Sequence, residues 1–270
     1  MKMKRYEGKV VLVTGGAGGA ASLGAEIVRG FHREGAQVVI ADINEDEGAA
    51  LSEELGERAI FLRTDITSDE DIKAVFERTI DHFGKLDALI NCACTYAESG
   101  VDSNREEWLN LLNVNTVSAA LMAKEAIPAL KKTRGAIVNF SSVSGKISQT
   151  GMFAYSVSKA ANLQLTRKLA AELAPEGIRV NTVSPGWTWS DPISMATNGS
   201  IETADSVGAK MHPLGRIARG KDVADAILFL CSNEASFVTG VDLPVDGGYT
   251  TLGPEQTTSP FDWLGNSGPG

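Results

Sequence analysis

"KVVLVTGGAGGAASLGAEIVRGFHREG", residues 9–35, sets a short apolar run directly before a cluster of glycines, and then a segment in which Ile27, Val28 and Phe31 recur at helical spacing up to Gly35. An apolar run this short, bounded by glycine, reads as a buried strand; the spacing beyond it reads as an amphipathic helix that stops at a glycine. At such a junction the backbone N–H groups and the helix dipole form a receptor for a pyrophosphate. Gly15, Gly18, Gly19, Ser22 and Leu23 are the candidate residues of that cradle. A glycine loop by itself is equally an ordinary strand-to-helix turn, so the residues that follow have to decide.

They keep the same rhythm. Residues 36–44, 59–66, 86–94, 135–145, 178–186 and 240–248 read as strands, and they alternate with helical patterns at 46–56, 68–83, 104–132, 153–174 and 221–232. Seven apolar strands alternating with helices predict an α/β fold, a doubly wound seven-stranded parallel sheet with helices on both faces, because parallel neighbours need crossover connections. Residues 1–253 are expected to form one domain. Within it, residues 187–220 are long, polar and poorly periodic, and are read as a lid over the substrate. Residues 254–270 form a Gly/Pro/Ser/Thr-rich tail with one apolar cluster, "PFDWL", read as docking on a neighbouring subunit or near its pocket.

Composition narrows the function. With 270 residues, 43% hydrophobic and 22% charged, the chain has the material for one large core. Its formal charge of -9 would repel a phosphate backbone, and it carries no Lys/Arg stripe interleaved with aromatics, so no nucleic-acid partner is expected. The apolar run of the basic start is too short for a signal peptide and no later run approaches a membrane span, which predicts a cytoplasmic protein without a membrane partner. Cys92, Cys94 and Cys231, with His32, His82 and His212 scattered among them, match no zinc spacing, so no metal is expected.

Four positions carry chemistry. Asp42 closes the second strand, where a carboxylate accepts both adenosine ribose hydroxyls and repels a 2′-phosphate; with no Arg or Lys in the glycine loop, the expected cofactor is NAD. A turn or N-cap aspartate is the plainer alternative. In "YSVSK", Tyr155 and Lys159 stand four apart, on one face of a helix, so that the ammonium stabilises tyrosinate and lowers a pKa that is ordinarily about 10. A tyrosine so tuned exchanges a proton with an alcohol or carbonyl. Thirteen residues earlier, Ser142 ends an apolar strand at the sheet's carboxyl edge, where open α/β folds bind ligands; Ser141 and Ser144 are nearby alternatives.

Taken in order, "TGGAGG" (14–19), Asp42, "TDI" (64–66), "NCA" (91–93), "NVN" (113–115), "SS" (141–142), "YSVSK" (155–159), "SPG" (184–186) and "VDGG" (245–248) resemble a classical short-chain dehydrogenase/reductase over residues 7–249. The resemblance implies a Rossmann-type fold, with Tyr155 as general acid/base and Lys159 holding the nicotinamide ribose. It further implies that Ser142 hydrogen-bonds the reacting oxygen and that Asn115 supports a proton relay. Asp65 and Ile66 would flank the adenine and Asn91 the adenosine ribose, with Ala93, Pro185, Gly186 and Thr188 completing the cofactor contacts, Thr188 at the carboxamide. The segments 104–132 and 153–174 resemble the family's dimer-forming pair, which implies a homotetramer or homodimer.

This chain departs from the family pattern in three places. The usual loop, Thr-Gly-x-x-x-Gly-x-Gly, is lengthened by three residues, so that its last glycine is Gly24, an arrangement reminiscent of enoyl-carrier-protein reductases, which space their tyrosine and lysine more widely. Ser22 then caps the helix or donates to the pyrophosphate. Cys92 and Cys94 replace an asparagine and a glycine and read as packing residues rather than redox groups. Ser190 stands where a threonine is common.

Pocket walls are expected from residues 93–98, Ser144 to Phe153 and the lid. Trp187, Trp189, Met152 and Phe153 supply apolar surface, and Tyr96, Glu98, Ser144, Gln149 and His212 orient hydroxyls. The expected activity is NAD-dependent interconversion of a small or medium secondary alcohol (a cyclic diol, polyol or sugar-like molecule) and its ketone. A 3-oxoacyl thioester reductase is the enzymatic alternative, disfavoured by Asp42, and a nucleotide-binding sensor or scaffold the non-enzymatic one, disfavoured by the complete Ser142, Tyr155, Lys159 and Asn115 set.

Overall fold

A computed structural model describes residues 4–19, 22–253 and 258; the tail and its "PFDWL" cluster lie outside the described residues. In chain order the elements are β1 (Val10–Thr14), α1 (Leu23–Arg33), β2 (Gln37–Asp42), α2 (Glu45–Leu55), β3 (Ala59–Arg63), α3 (Asp69–Phe83), β4 (Ala88–Asn91), α4 (Arg105–Leu112), α5 (Ser118–Thr133), β5 (Ala136–Phe140), α6 (Ala154–Leu173), β6 (Arg179–Pro185), α7 (Asp191–Ala196), α8 (Ile201–Gly208), α9 (Gly220–Cys231) and β7 (Asp242–Val245). The strands form one seven-stranded sheet in the order β3-β2-β1-β4-β5-β6-β7, with all six neighbouring pairs parallel. This is the Rossmann-type arrangement expected. The order reverses between β1 and β4, and a crevice opens there beyond the carboxyl ends of the strands.

Alternation along each strand sorts the side chains onto two cores. Val11 and Val13 join Ile27, Phe31, Ile227 and Leu228 of α1 and α9 on one face. Val10 and Leu12 join Ile72, Val75, Met122 and Leu130 of α3 and α5 on the other. No helix among the described residues is long and apolar enough to cross a membrane.

Helix α6 is attached differently. Asn91, Asn139 and Thr182 occupy one row across β4, β5 and β6. Asn91 Nδ2 donates to Asn139 Oδ1 at 2.9 Å, Asn139 Nδ2 to Thr166 Oγ1 at 2.9 Å, and the Thr182 hydroxyl to Thr166 Oγ1 at 2.6 Å. All four residues are buried, so this ladder joins the middle of the sheet to α6 by directional bonds that apolar packing does not supply.

Two segments differ from expectation. Residues 104–132, read as one helix, are α4 and α5 separated by a π-helical turn at Asn113–Val117. The widened turn carries Asn115, and such turns concentrate at functional sites. The stretch at 187–220 is not irregular, since it contains α7 and α8; its first residues return to its last through pairing of Thr188 with Ala218. The expected strands at 86–94, 135–145 and 240–248 overrun the sheet because their final residues turn away from it, and those residues build the site.

A Thr166→Val substitution keeps the shape but removes the acceptor shared by Asn139 and Thr182. It is expected to cost about 1–3 kcal/mol and lower Tm by about 2–10 °C, read by thermal unfolding; an unchanged Tm would mean the ladder does not hold α6.

Candidate active site

The glycine loop is assembled around Ser22. Its hydroxyl accepts from Ala25 N–H at the start of α1 and donates to the Ala17 carbonyl at 2.8 Å. Of the two roles expected for it, the structure displays the cap. Gly18 adopts φ +125°, and a Cβ there would lie 2.4 Å from Ser22 Cβ. Gly15, at φ +63°, passes so close to Ala93 that a Cβ would come within 2.7 Å of its Cα. Gly24 opens the packed part of α1, where a Cβ would sit 1.8 Å from the Gly15 carbonyl oxygen, so the late glycine lets the helix rest on the loop. Gly19 is exposed and Leu23 half-buried at the helix entry.

Asp42, at the end of β2, accepts from Ala17 N–H at 3.0 Å with one carboxylate oxygen and from Asn44 N–H at 3.1 Å with the other. It therefore fixes the loop while keeping outward lone pairs. On the same side of the crevice, just past neighbouring β3, Asp65 accepts from the Thr67 hydroxyl and N–H, which hold its carboxyl below the usual range. Ile66, Asn91 and Ala93 border a small internal cavity with Asn115 and Lys159. The Asn91 amide donates to Ala119 O and Asn139 Oδ1, so its side chain is engaged inside the protein.

The chemistry-bearing residues converge at the carboxyl edge of β5. Ser141 donates to the Lys159 carbonyl at 2.8 Å and Ser144 to Gln149 Oε1, while Gln149 Nε2 donates to the Tyr249 hydroxyl at 3.1 Å. Ser142 accepts from Ser144 N–H at 3.2 Å and donates to Ser144 Oγ at 3.3 Å. Tyr155 and Lys159 are both buried, with Lys159 Nζ 5.4 Å from the Tyr155 ring centroid.

Burial is the largest influence on Tyr155 and pushes its pKa up; Lys159 opposes it, as do the Tyr96 and Ser142 hydroxyls, while Cys94 adds to it. The net direction is upward, so the lowering expected from Lys159 is present but outweighed by desolvation. For Lys159, burial disfavours the cation, yet Tyr155, Cys94 and Cys92 together raise its pKa, and it is charged at neutral pH.

Asn115 is buried; its Oδ1 accepts from Thr95 N–H at 2.8 Å and its Nδ2 donates to Thr95 O at 3.0 Å and Ser158 Oγ at 3.1 Å. Past β6, Pro185 and Gly186 lead into the return segment. A Cβ on Gly186 would meet His212 Nε2 at 2.8 Å. His212 accepts from Trp187 N–H and faces the Gly208 carbonyl through Nδ1, so both ring nitrogens are engaged inside the protein, not left for a substrate hydroxyl. The Thr188 hydroxyl donates to Gly186 O, Trp189 N–H to Ala218 O, and Trp187 is exposed at the rim.

Sequence reasoning assigned Glu98 and Tyr96 to substrate hydroxyls. Instead Glu98 receives backbone N–H groups of α6, and Tyr96 stacks on Tyr155 with ring centroids 4.8 Å apart. These contacts join residues 55–59 positions apart, and no local pattern announces them.

Residues 16–250 match the family described as "Enoyl-(Acyl carrier protein) reductase". The chain is 39% identical over 250 residues to L-fucose dehydrogenase of Oryctolagus cuniculus, covering 90% of this chain and 86% of that protein. It is 38% identical over 258 residues to (21S)-21-acetoxyl-apo-melianone synthase SDR of Melia azedarach, covering 93% of each. Over 260 residues it is 35% identical to trans-4-hydroxycyclohexanecarboxylate dehydrogenase of Sinomonas cyclohexanicum, covering 91% of this chain and 94% of that protein. The chain belongs to the short-chain dehydrogenase/reductase family. It is an oxidoreductase acting on CH–OH groups, with a nicotinamide cofactor and a small-molecule substrate.

Cys92 and Cys231 pack against the α1/α9 core, and burial pushes the Cys92 thiol far up and that of Cys231 up to about 12. In native protein at pH 8, iodoacetamide is expected to modify no thiol but Cys94, and all three after guanidinium unfolding, counted by mass spectrometry. Native modification of Cys92 would contradict the packing role.

Proposed function

We propose that the protein is an NAD-dependent dehydrogenase interconverting a small or medium cyclic secondary alcohol, a diol, polyol or sugar-like ring, with its ketone. The observation that carries this reading is the buried Tyr155 with Lys159 Nζ 5.4 Å from its ring centroid, its ionised form favoured by Lys159 and by the Ser142 hydroxyl. Relatives named for L-fucose and for trans-4-hydroxycyclohexanecarboxylate support a ring alcohol.

The cradle fits a dinucleotide: Gly15 and Gly18 clear backbone where a side chain would stand, and α1 presents its N-terminus behind them. Gly15, Gly18, Gly19, Ser22 and Leu23 would hold the pyrophosphate, with Asp65, Ile66, Asn91 and Ala93 along the adenosine half and Pro185, Gly186 and Thr188 beside the nicotinamide. The remaining lone pairs of Asp42 suit ribose hydroxyls and repel a 2′-phosphate. Arg63, beside Asp42 in the sheet, is paired with Glu45 and Asp71, so it offers a phosphate no free charge. When bound, the nicotinamide ring exchanges the hydride with the substrate carbon.

The protein's own residues handle the proton. Ser142 holds the reacting oxygen, Tyr155 takes or returns its proton, Lys159 stabilises the tyrosinate, and Asn115 supports the proton's onward path. Because burial raises its pKa, Tyr155 is protonated at neutral pH, the form that gives a proton to a ketone. As a base it gains with alkalinity, its ionised fraction growing about tenfold per pH unit below its pKa. Alcohol oxidation is therefore expected to accelerate as pH rises.

Ser144, Gln149, Trp187 and Trp189 line the substrate side, and residues 187–220, pinned by the Arg219–Asp205 ion pair, serve as its lid. Leu109, Val117, Phe153 and Val157, exposed on α4, α6 and the turns beside them, form the face through which copies of the chain would pair as a homodimer or homotetramer.

The test is NADH formation at pH 7–10 with L-fucose, trans-4-hydroxycyclohexanecarboxylate and cis-cyclohexane-1,2-diol, beside thermal shift with NAD and NADP. Stabilisation by NAD alone, with turnover that climbs with pH, is expected; preference for NADP would overturn the Asp42 reading. Tyr155→Phe is expected to lose about 10²–10⁴-fold in kcat with NAD binding intact. Asp42→Ala is expected to weaken NAD binding about tenfold or more and to narrow the preference over NADP.

A further inference from the structure

We infer that Glu98 is a positioning residue for Tyr155, and that it acts by capping the helix that carries Tyr155 from another part of the chain. The inference rests on the proposed acid/base role of Tyr155. Every helix leaves its first backbone N–H groups without intrahelical partners, and a side chain at the N-cap ordinarily receives one of them. Phe153 stands at that position of α6 and has no such side chain. Glu98 supplies the acceptors: Oε2 receives Phe153 N–H at 3.1 Å and Ala154 N–H at 2.6 Å, and Oε1 receives Tyr155 N–H at 3.2 Å. A carboxylate at this end also meets the positive pole of the helix dipole.

The segment bearing Glu98 is itself fixed, and it is tied to Tyr155 by a closed circuit. Asn115 holds Thr95 by both its N–H and its carbonyl. The same Asn115 amide donates to Ser158 Oγ, and Ser158 donates to the Tyr155 carbonyl at 2.7 Å. Between the two ends of the segment, the Tyr96 ring stacks on the Tyr155 ring at an interplanar angle of 28°. Tyr155 is therefore gripped at its N–H by Glu98, at its carbonyl through Ser158 and Asn115, and on its ring by Tyr96.

An arrangement that fixes the backbone of a proton carrier affects kcat, because a displacement of about 1 Å can cost about a hundredfold in rate. It bears little on dinucleotide affinity, since none of these bonds involves the glycine loop, Asp42 or the Lys159 ammonium. Glu98→Ala removes all acceptors. Glu98→Gln keeps one carbonyl oxygen but turns an NH₂ group toward the remaining amides.

Hydrogen exchange with mass spectrometry on the full chain reads the cap without a substrate. The peptide spanning residues 152–156 is expected to exchange about tenfold faster or more in Glu98→Ala and by an intermediate factor in Glu98→Gln, with the later turns of α6 unchanged. With the three alcohols named above, kcat is expected to fall in the order wild type, Gln, Ala, by about 10–100-fold overall, with the NAD dissociation constant within about twofold.

Unchanged exchange at 152–156 in both variants would overturn the inference, as would kcat within twofold of wild type or a parallel loss of kcat and NAD affinity. Tyr155→Phe run beside them separates the two readings. If it turns over like wild type, the acid/base role falls and the positioning role with it. If it is inactive while the Glu98 variants are not, only the positioning role falls.

Discussion

Everything in the site depends on how helix α6 is registered against the sheet. After Ala154, the buried stripe of that helix runs through Tyr155, Ser158, Lys159, Asn162, Thr166, Ala170 and Leu173, and the five from Tyr155 to Thr166 are polar. An apolar stripe would tolerate a small slide or rotation at modest cost. This one resists it, because three of its polar members have directional partners: Thr166 in the ladder of β5 and β6, Asn162 Nδ2 at the carbonyls of Phe140 and Asn115, and Ser158 at Asn115. Leaving those groups unpaired in the interior costs more than the bonds contribute when made, so other registers are disfavoured.

The same burial shapes the electrostatics. Desolvation opposes a lone charge on either Tyr155 or Lys159, and each group relieves the other, since the ammonium favours tyrosinate and tyrosinate favours the ammonium. The pair is best understood as one coupled unit in which transfer of a proton changes the charge of the whole. Cys94, in a position where the family usually has glycine, adds a further influence that keeps the phenol protonated. The resting site thus holds Tyr155 as the neutral phenol.

At the other end of the crevice, the lengthened glycine loop retains the requirements of a dinucleotide site by redistributing them. Gly24 preserves the close approach of helix to strand, Ser22 closes the loop on the Ala17 carbonyl, and Asp42 draws in the Ala17 amide from the neighbouring strand. Loop and strand end are therefore one hydrogen-bonded unit at the switch point of the sheet.

The sheet, its seven strands and the residues proposed to carry the chemistry were legible in the chain because they rest on local signals: apolar runs bounded by glycine, a carboxylate at a strand end, and a tyrosine and lysine one helical turn apart. The two helices within residues 187–220 were not, since neither is longer than eight residues and so short a stretch gives periodicity little room to declare itself. Nor was the π-helical turn at Asn115, which interrupts a pattern that reads continuously as helix. Glu98 and His212 were noticed for their chemistry and assigned to the substrate, whereas folding commits them to backbone groups far away in the chain. The sequence alone determined which groups are available and on which strand end or helix face they stand, because those depend on neighbours within a turn or a strand. Only the tertiary structure decided which of them remain free for a ligand, because a buried donor or acceptor is claimed by whatever partner the fold brings within 3 Å, however distant in the chain.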